Sequence, residues 1–212
     1  MSKVLRETAA ALEYSPAPDS GVPWPWNVPD GEWTWEMYCR LPEGDGFRYE
    51  VIGGGLIVSP PPVEIHQRVL RNLLYEIESW VRKTKKGQVY SAPFDVILSF
   101  VAPEQHYVEP DLLFISGDRL SIITANNVQG APDLVVEVLS PSTARRDWVD
   151  KRRVYEASGV ANYWVVDPDK KVLTAFHLKE GKYELEGRFG DDTIFEPKGF
   201  SGLRINLAEV CG

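Results

Sequence analysis

The chain has 212 residues, 43% apolar and 11% aromatic, which is enough to build a packed core and excludes a wholly disordered polypeptide. With 23 basic and 31 acidic residues its formal charge is -8, so a blanket positive field for nucleic acid is excluded and any such contact must be local. Cys39 and Cys211 match neither a disulfide framework nor a metal spacing and point to a reducing, cytoplasmic setting.

Residues 1–13 place Val4, Leu5, Ala9 and Leu12 along one side of a short helix. The first seven residues carry mixed charge and no apolar signal core. Pro16, Pro18, Pro23, Pro25 and Pro29 make the following stretch an extended arm, with Trp24 and Trp26 to anchor it on its own domain or on a partner subunit. The predicted organisation is therefore a helix and Pro/Trp-rich arm over 1–32 and one α/β domain over 33–212.

Within that domain Thr34 caps a short helix reaching Arg40, and 47–52 with 56–59 flank Gly53-Gly54-Gly55 as a hairpin. Pro60-Pro61-Pro62 stops the second strand. Ile65, Val69, Leu73, Ile77 and Val81 then mark the apolar stripe of a long helix, with Gly87 as its stop. Strands follow over 89–90, 94–100 and 108–115, and a helical turn over 119–124. The run 134–139, Leu-Val-Val-Glu-Val-Leu, reads as a strand covered on both faces of a mixed or parallel sheet. Ser142 or Thr143 caps a helix that Gly159 ends, and 162–167, 172–177 and 182–186 complete the strands.

Glu137 is the anomaly of this pattern. An ionised carboxylate inside a doubly covered strand costs several kcal/mol without a cationic partner. Asp111, behind Pro110 and beside another apolar strand, is the best companion, and two carboxylates on neighbouring strands can hold one hard cation such as Mg²⁺ or Mn²⁺. Asp133 is a rival, but four extended residues put it ~13 Å from Glu137. Lys151, on the helix after the Glu137 strand, either folds back toward the strand ends and pairs with Asp147 or joins a solvated face with Arg152 and Arg153. Glu50 on the hairpin and His66 near the start of the long helix are further candidates, the alternatives being a surface acid and a satisfied histidine. Around the Lys151 helix, Arg145, Arg146, Lys151, Arg152 and Arg153 outnumber Asp147 and Asp150, a local patch able to meet phosphates. Arg82, Lys83, Lys85 and Lys86 complement the dipole at the end of the long helix.

Tyr49-Glu50-Val-Ile-Gly-Gly-Gly, His66, Pro110-Asp111, Val135-Val-Glu137-Val-Leu-Ser140-Pro-Ser, Asp147-Trp-Val-Asp-Lys151, Tyr155, Gly159-Val and Tyr163-Trp-Val-Val-Asp167-Pro together resemble the Uma-type restriction endonuclease family of the PD-(D/E)XK nuclease superfamily. The resemblance covers about 33–178. It implies a restriction-endonuclease-like core, a central mixed β-sheet flanked by helices with the acids at one sheet edge. It also implies Asp111 and Glu137 as metal ligands assisted by the carbonyl oxygen of Val138, with Glu50 close by. In the superfamily the Lys stands two residues after the Glu; that position is Leu139 here, and the likeness assigns the amine to Lys151. The function so implied is Mg²⁺- or Mn²⁺-dependent hydrolysis of DNA, with His66 contacting a phosphate or assisting the leaving group, in a homodimer or higher oligomer. RNA or nucleotide hydrolysis uses the same chemistry. The rival reading is a catalytically inert nuclease fold used for binding or assembly, with Glu137 and Lys151 as a buried structural pair.

Overall fold

The structure is a computed structural model describing residues 28–29, 31–42, 44–99, 105–140, 144–190 and 192–212. The expected N-terminal helix, Trp24, Trp26 and the capping candidates Ser142 and Thr143 lie outside those residues.

Helix α1 (Trp35–Tyr38) is capped as its sequence predicts, Thr34 Oγ1 accepting from the Met37 N–H at 3.3 Å. Strands β1 (Arg48–Ile52) and β2 (Gly55–Ser59) form the expected hairpin. After the prolines comes α2 (Glu64–Thr84), which buries Val69, Leu70, Leu73, Ile77 and Trp80. Its stop is Lys85 in the left-handed region (φ 58), not Gly87. Gly87 opens β3 (Gly87–Ser91) instead, where a Cβ would land on the Ile115 carbonyl oxygen. It is glycine for close strand approach rather than for helix termination. Strand β4 (Asp95–Ser99) follows.

The single strand expected over 108–115 is two. Strands β5 (His106–Val108) and β6 (Leu112–Ser116) belong to different sheets, and Pro110, with no N–H to donate, stands at the crossing between them. A 3₁₀ turn (Gly117–Ile122) leads to β7 (Asn127–Gln129), too short and polar to carry a strand signal, and then to β8 (Leu134–Val138). Helix α3 (Ala144–Arg146), a π-helical turn (Asp147–Lys151) and α4 (Arg152–Ser158) run as one continuous helix that Gly159 ends with φ 85. Strands β9 (Asn162–Asp167), β10 (Val172–Lys179) and β11 (Lys182–Phe189) form a meander. The short pair β12 (Ile194–Phe195) and β13 (Ile205–Asn206) and helix α5 (Leu207–Cys211) finish the chain.

The mixed sheet runs β11-β10-β9-β8-β6-β3, with β8 parallel to β9 and antiparallel to β6. Alternation along β8 sends Leu134, Val136 and Val138 into a core with α2 and α5, and Val135 and Leu139 into a second core with Tyr155 and Tyr163. Glu137 shares the second face. A further sheet, β2-β1-β5-β4-β7, goes beyond the single central sheet expected. It exists because the hairpin's Tyr49 and Val51 need cover, and they bury against Trp33, Ile97 and Tyr107. That leaves Arg48 and Glu50 on the opposite face of β1. Among the described residues no helix is long and apolar enough to cross a membrane.

Candidate functional site

Strands β6 and β8 pair with Leu112 opposite Val136 and Leu113 opposite Val135, so the same register continued by one residue sets Asp111 opposite Glu137. Both are buried to 1% exposure. Like charges directly opposite repel, and the surroundings answer each differently.

Asp111 accepts from Arg48 Nη1 at 2.8 Å through Oδ1. Through Oδ2 it accepts the Val138 backbone N–H at 2.7 Å and meets His66 Nε2 at 3.0 Å. Burial alone would raise its carboxyl, but the His66 hydrogen bond and the Arg48 charge outweigh burial and hold it below the usual carboxylate range. His66 reaches it because α2 presents His66 on the same stripe as Val69, Leu70 and Leu73; its Nδ1 has no hydrogen-bond partner among the described residues.

Glu137 accepts from Lys151 Nζ at 2.9 Å and Tyr155 OH at 2.7 Å, both on Oε1. Lys151 Nζ also lies 2.8 Å from Glu50 Oε1 and 3.8 Å from Asp147 Oδ1. The ammonium is only 2% exposed, so the solvated-face alternative for Lys151 is overturned. Arg152 and Arg153 stay exposed; Arg152 lies 5.3 Å from the centre of the Phe176 ring, and Arg146 donates to Ser59 Oγ at 2.8 Å. The helix geometry explains the convergence. Positions four apart drift by about 40° per step on an α-helix, and the wider π turn offsets that drift. Asp147, Lys151 and Tyr155 thereby stay on one buried line facing β8.

Burial pushes the Glu137 carboxyl up to about 8; Lys151 pulls it down, but Asp111, Asp147 and Glu50 add to the rise. Lys151 stays charged because Glu137, Glu50 and Asp147 more than offset its burial. Glu109, beside Arg48 (Nε to Oε1 2.8 Å), is raised to about 7 by burial against the Arg48 charge. The carboxylates of Glu50, Glu109, Asp111, Glu137 and Asp147 thus outnumber the cations Arg48 and Lys151.

A cleft of about 30 Å³ runs among Arg48, Glu50, His66, Asp111, Glu137 and Lys151, room for about one water-sized body. Asp111, Glu137, Lys151, Glu50 and His66, all singled out from sequence, meet there, with Val138 at its edge. Asp133 is elsewhere, held by Ser116 N and Arg119 Nη1, each at 2.8 Å. Arg48 and Glu109 were missed as site residues; Arg48 had a signal, since it stands two residues before Glu50 and shares its strand face. Tyr155 stood among the residues of the family resemblance and one helical turn after Lys151, without a role assigned to it.

The donor chemistry fits a hard divalent cation. The carboxylates supply oxygen donors while His66 Nε2 is turned to Asp111, and among the described residues the hydrogen bonds to Glu50 and Glu137 fall on Oε1, leaving an Oε2 on each. Among the described residues no three His, Cys, Asp or Glu side chains are gathered so as to hold an ion alone. Such an ion would take one or two carboxylates and fill its shell with water or phosphate oxygen, the usual habit of Mg²⁺.

A crystal structure of a "putative nuclease belonging to DUF820" from Anabaena variabilis is similar in fold, with a TM-score of 0.67 at 19% identity over 84% of this chain and 97% of that one. No curated protein matches the chain. The Uma2 family, described as "Putative restriction endonuclease", matches residues 35–208. With that match running from α1 into α5, the chain belongs to the Uma2 family.

Proposed function

We propose that this protein is a metal-dependent endonuclease that hydrolyses DNA phosphodiester bonds, with Asp111 and Glu137 holding Mg²⁺ or Mn²⁺. The observation that carries the reading is the cross-strand pair Asp111–Glu137 with a buried amine, Lys151, 2.9 Å from Glu137. In the superfamily the lysine stands on the same strand as the Glu; here the amine comes from the helix, and Leu139 is free to fill the core.

When bound, the ion polarises the scissile phosphate and lowers the pKa of a water. The chain's own residues do the rest. Lys151 bridges Glu50 and Glu137 and offers its ammonium to the negative charge growing on the phosphoryl oxygens. His66 and the Val138 N–H fix the rotamer of Asp111. Arg48, the most exposed of the cations at 19%, faces incoming phosphate. The Val138 carbonyl points to the same side of β8 as its N–H, toward Asp111, and is proposed as a further ligand. A cytoplasmic homodimer or higher oligomer is proposed for the working assembly; sedimentation showing monomer at high concentration overturns the latter.

The test is cleavage of supercoiled plasmid and single-stranded circular DNA with Mg²⁺, Mn²⁺ or EDTA, beside Asp111→Asn and Lys151→Ala. Metal-dependent nicking lost in both variants is expected. Normal cutting by folded Lys151→Ala would remove the lysine's role and leave the metal site. No cutting by wild type on any substrate would favour the inert module, a reading supported by the existing pairing of Glu137 with Lys151.

A further inference from the structure

A cleft of about 920 Å³ neighbours the acid site on the second sheet. Its walls include the rings of Trp35, Tyr38 and Phe94, and Trp35 stacks on Tyr38 at 5.3 Å with planes 22° apart. Its polar groups include Asp95, Glu109 and the amide of exposed Asn126. Asp95 is fixed by the Tyr38 hydroxyl, which donates to Oδ1 at 2.7 Å. Glu109 joins the two clefts. Arg48 binds it through Nε and binds Asp111 through Nη1, both at 2.8 Å, so one guanidinium separates the aromatic cleft from the candidate metal ligand.

Those groups select among the parts of a nucleic acid. Carboxylates in a cleft repel phosphate and accept N–H donors, which only bases supply. Aromatic rings take the face of any base. The volume is in the range of small-molecule sites and exceeds what one base needs. A paired base keeps its faces stacked in the duplex, so only an unstacked base can meet the rings and the carboxylates together.

We propose that this cleft receives an unstacked nucleobase, one nucleotide away from the phosphate held at Asp111 and Glu137, making single-stranded or locally opened nucleic acid the substrate. The inference rests on the nuclease reading above and specifies its substrate class. Bases that present an exocyclic amino group, adenine, cytosine and guanine, are favoured over thymine by Asp95 and Glu109.

Cys39 supplies an internal probe, since it lines the cleft and is exposed while Cys211 is buried. The experiment follows maleimide modification of Cys39 in the full chain, in EDTA and again with Mg²⁺, with a saturating oligonucleotide of about twelve nucleotides. Single strands are expected to slow modification about ten-fold, and a blunt duplex of the same sequence to leave it unchanged. One abasic position should weaken strand affinity about ten-fold, and Phe94→Ala or Asn126→Ala should do the same with no further loss on the abasic strand. Unchanged modification under bound single strand, or equal affinity for intact and abasic strands at every position, overturns the cleft assignment. Metal-dependent nicking beside that result leaves the nuclease reading standing. A protected Cys39 without nicking keeps the base site and removes hydrolysis. No strand binding at all overturns both.

Discussion

Lys151 reaches back from the helix after β8 to place Nζ 2.9 Å from Glu137 Oε1, at a depth where neither residue exceeds 2% exposure. Leu139, two residues beyond Glu137 on the same strand face, packs into the core with Tyr155 and Tyr163. An amine rising from position 139 would have to cross that core. From the helix it enters along the Asp147–Lys151–Tyr155 line, where Glu50 of the other sheet also meets it. The two sheets are therefore pinned together by one ammonium, and the site depends on their docking.

Removing that ammonium leaves Glu50 and Glu137 buried and uncompensated. Lys151→Ala is expected to cost about 3–5 kcal/mol. In a domain of this size that lowers the melting temperature by about 6–20 °C. Adding Glu137→Gln to Lys151→Ala should recover part of the loss, because the unpaired charge is then halved; calorimetry of the single and double variants checks the non-additivity.

The metal-free protein is expected to lose stability as pH rises. Glu137 is raised from 4.5 to about 8 and Glu109 from 4.5 to about 7 by burial and neighbouring carboxylates. The folded state then holds more protons than the unfolded one between those values. The contribution is full below about pH 4.5 and is lost as pH climbs through 7 to 8. Asp111 works in the opposite sense, lowered in the folded state, so its contribution is lost only in acid below its ordinary value. Melting curves in EDTA from pH 5 to 9 should fall, and a flat profile would contradict the carboxylate excess.

Tyr155→Phe removes the hydroxyl that donates to Glu137 at 2.7 Å and little else, since the ring stays in the core. The expected cost is about 0.5–1.5 kcal/mol below pH 8, where Glu137 is neutral, and about 1.5–3 kcal/mol above it, where the hydroxyl donates to a carboxylate. Denaturant midpoints at constant m-value would measure it. Gly87→Ala tests the fold away from the site: its Cβ meets the Ile115 carbonyl where β3 pairs with β6, and about 1–3 kcal/mol of overpacking is expected.

The acid pair was legible because a charge interrupts an apolar run, which periodicity exposes. Its partner followed from Pro110-Asp111 entering a second apolar strand. The second sheet was not legible. β5 and β7 have three residues each, and β5 sits against β6 in sequence with only Pro110 to mark the break. Glycine misled at 87 because a helix stop and a close strand contact ask for the same residue. Arg48 and Glu109 escaped because charged residues near turns are usually solvated; the docking of two sheets half-buries them.

Glu137→Gln separates the two readings of the site. Lys151 keeps Glu50 at 2.8 Å and Asp147 at 3.8 Å when Glu137 loses its charge, so no cation is orphaned. If Glu137 is held for a metal, its charge opposes Asp111 in the apo protein, and the neutral amide should raise the EDTA melting temperature at pH 8. The same change should abolish the stabilisation that Mn²⁺ gives wild type, which at 100-fold excess over Kd is about 2.7 kcal/mol. If the pair with Lys151 is its only purpose, Gln weakens a buried charged hydrogen bond. The melting temperature then falls at pH 8, and Mn²⁺ shifts neither protein. Nicking lost with raised apo stability is the signature of a ligand, because a group kept for chemistry is paid for in fold stability.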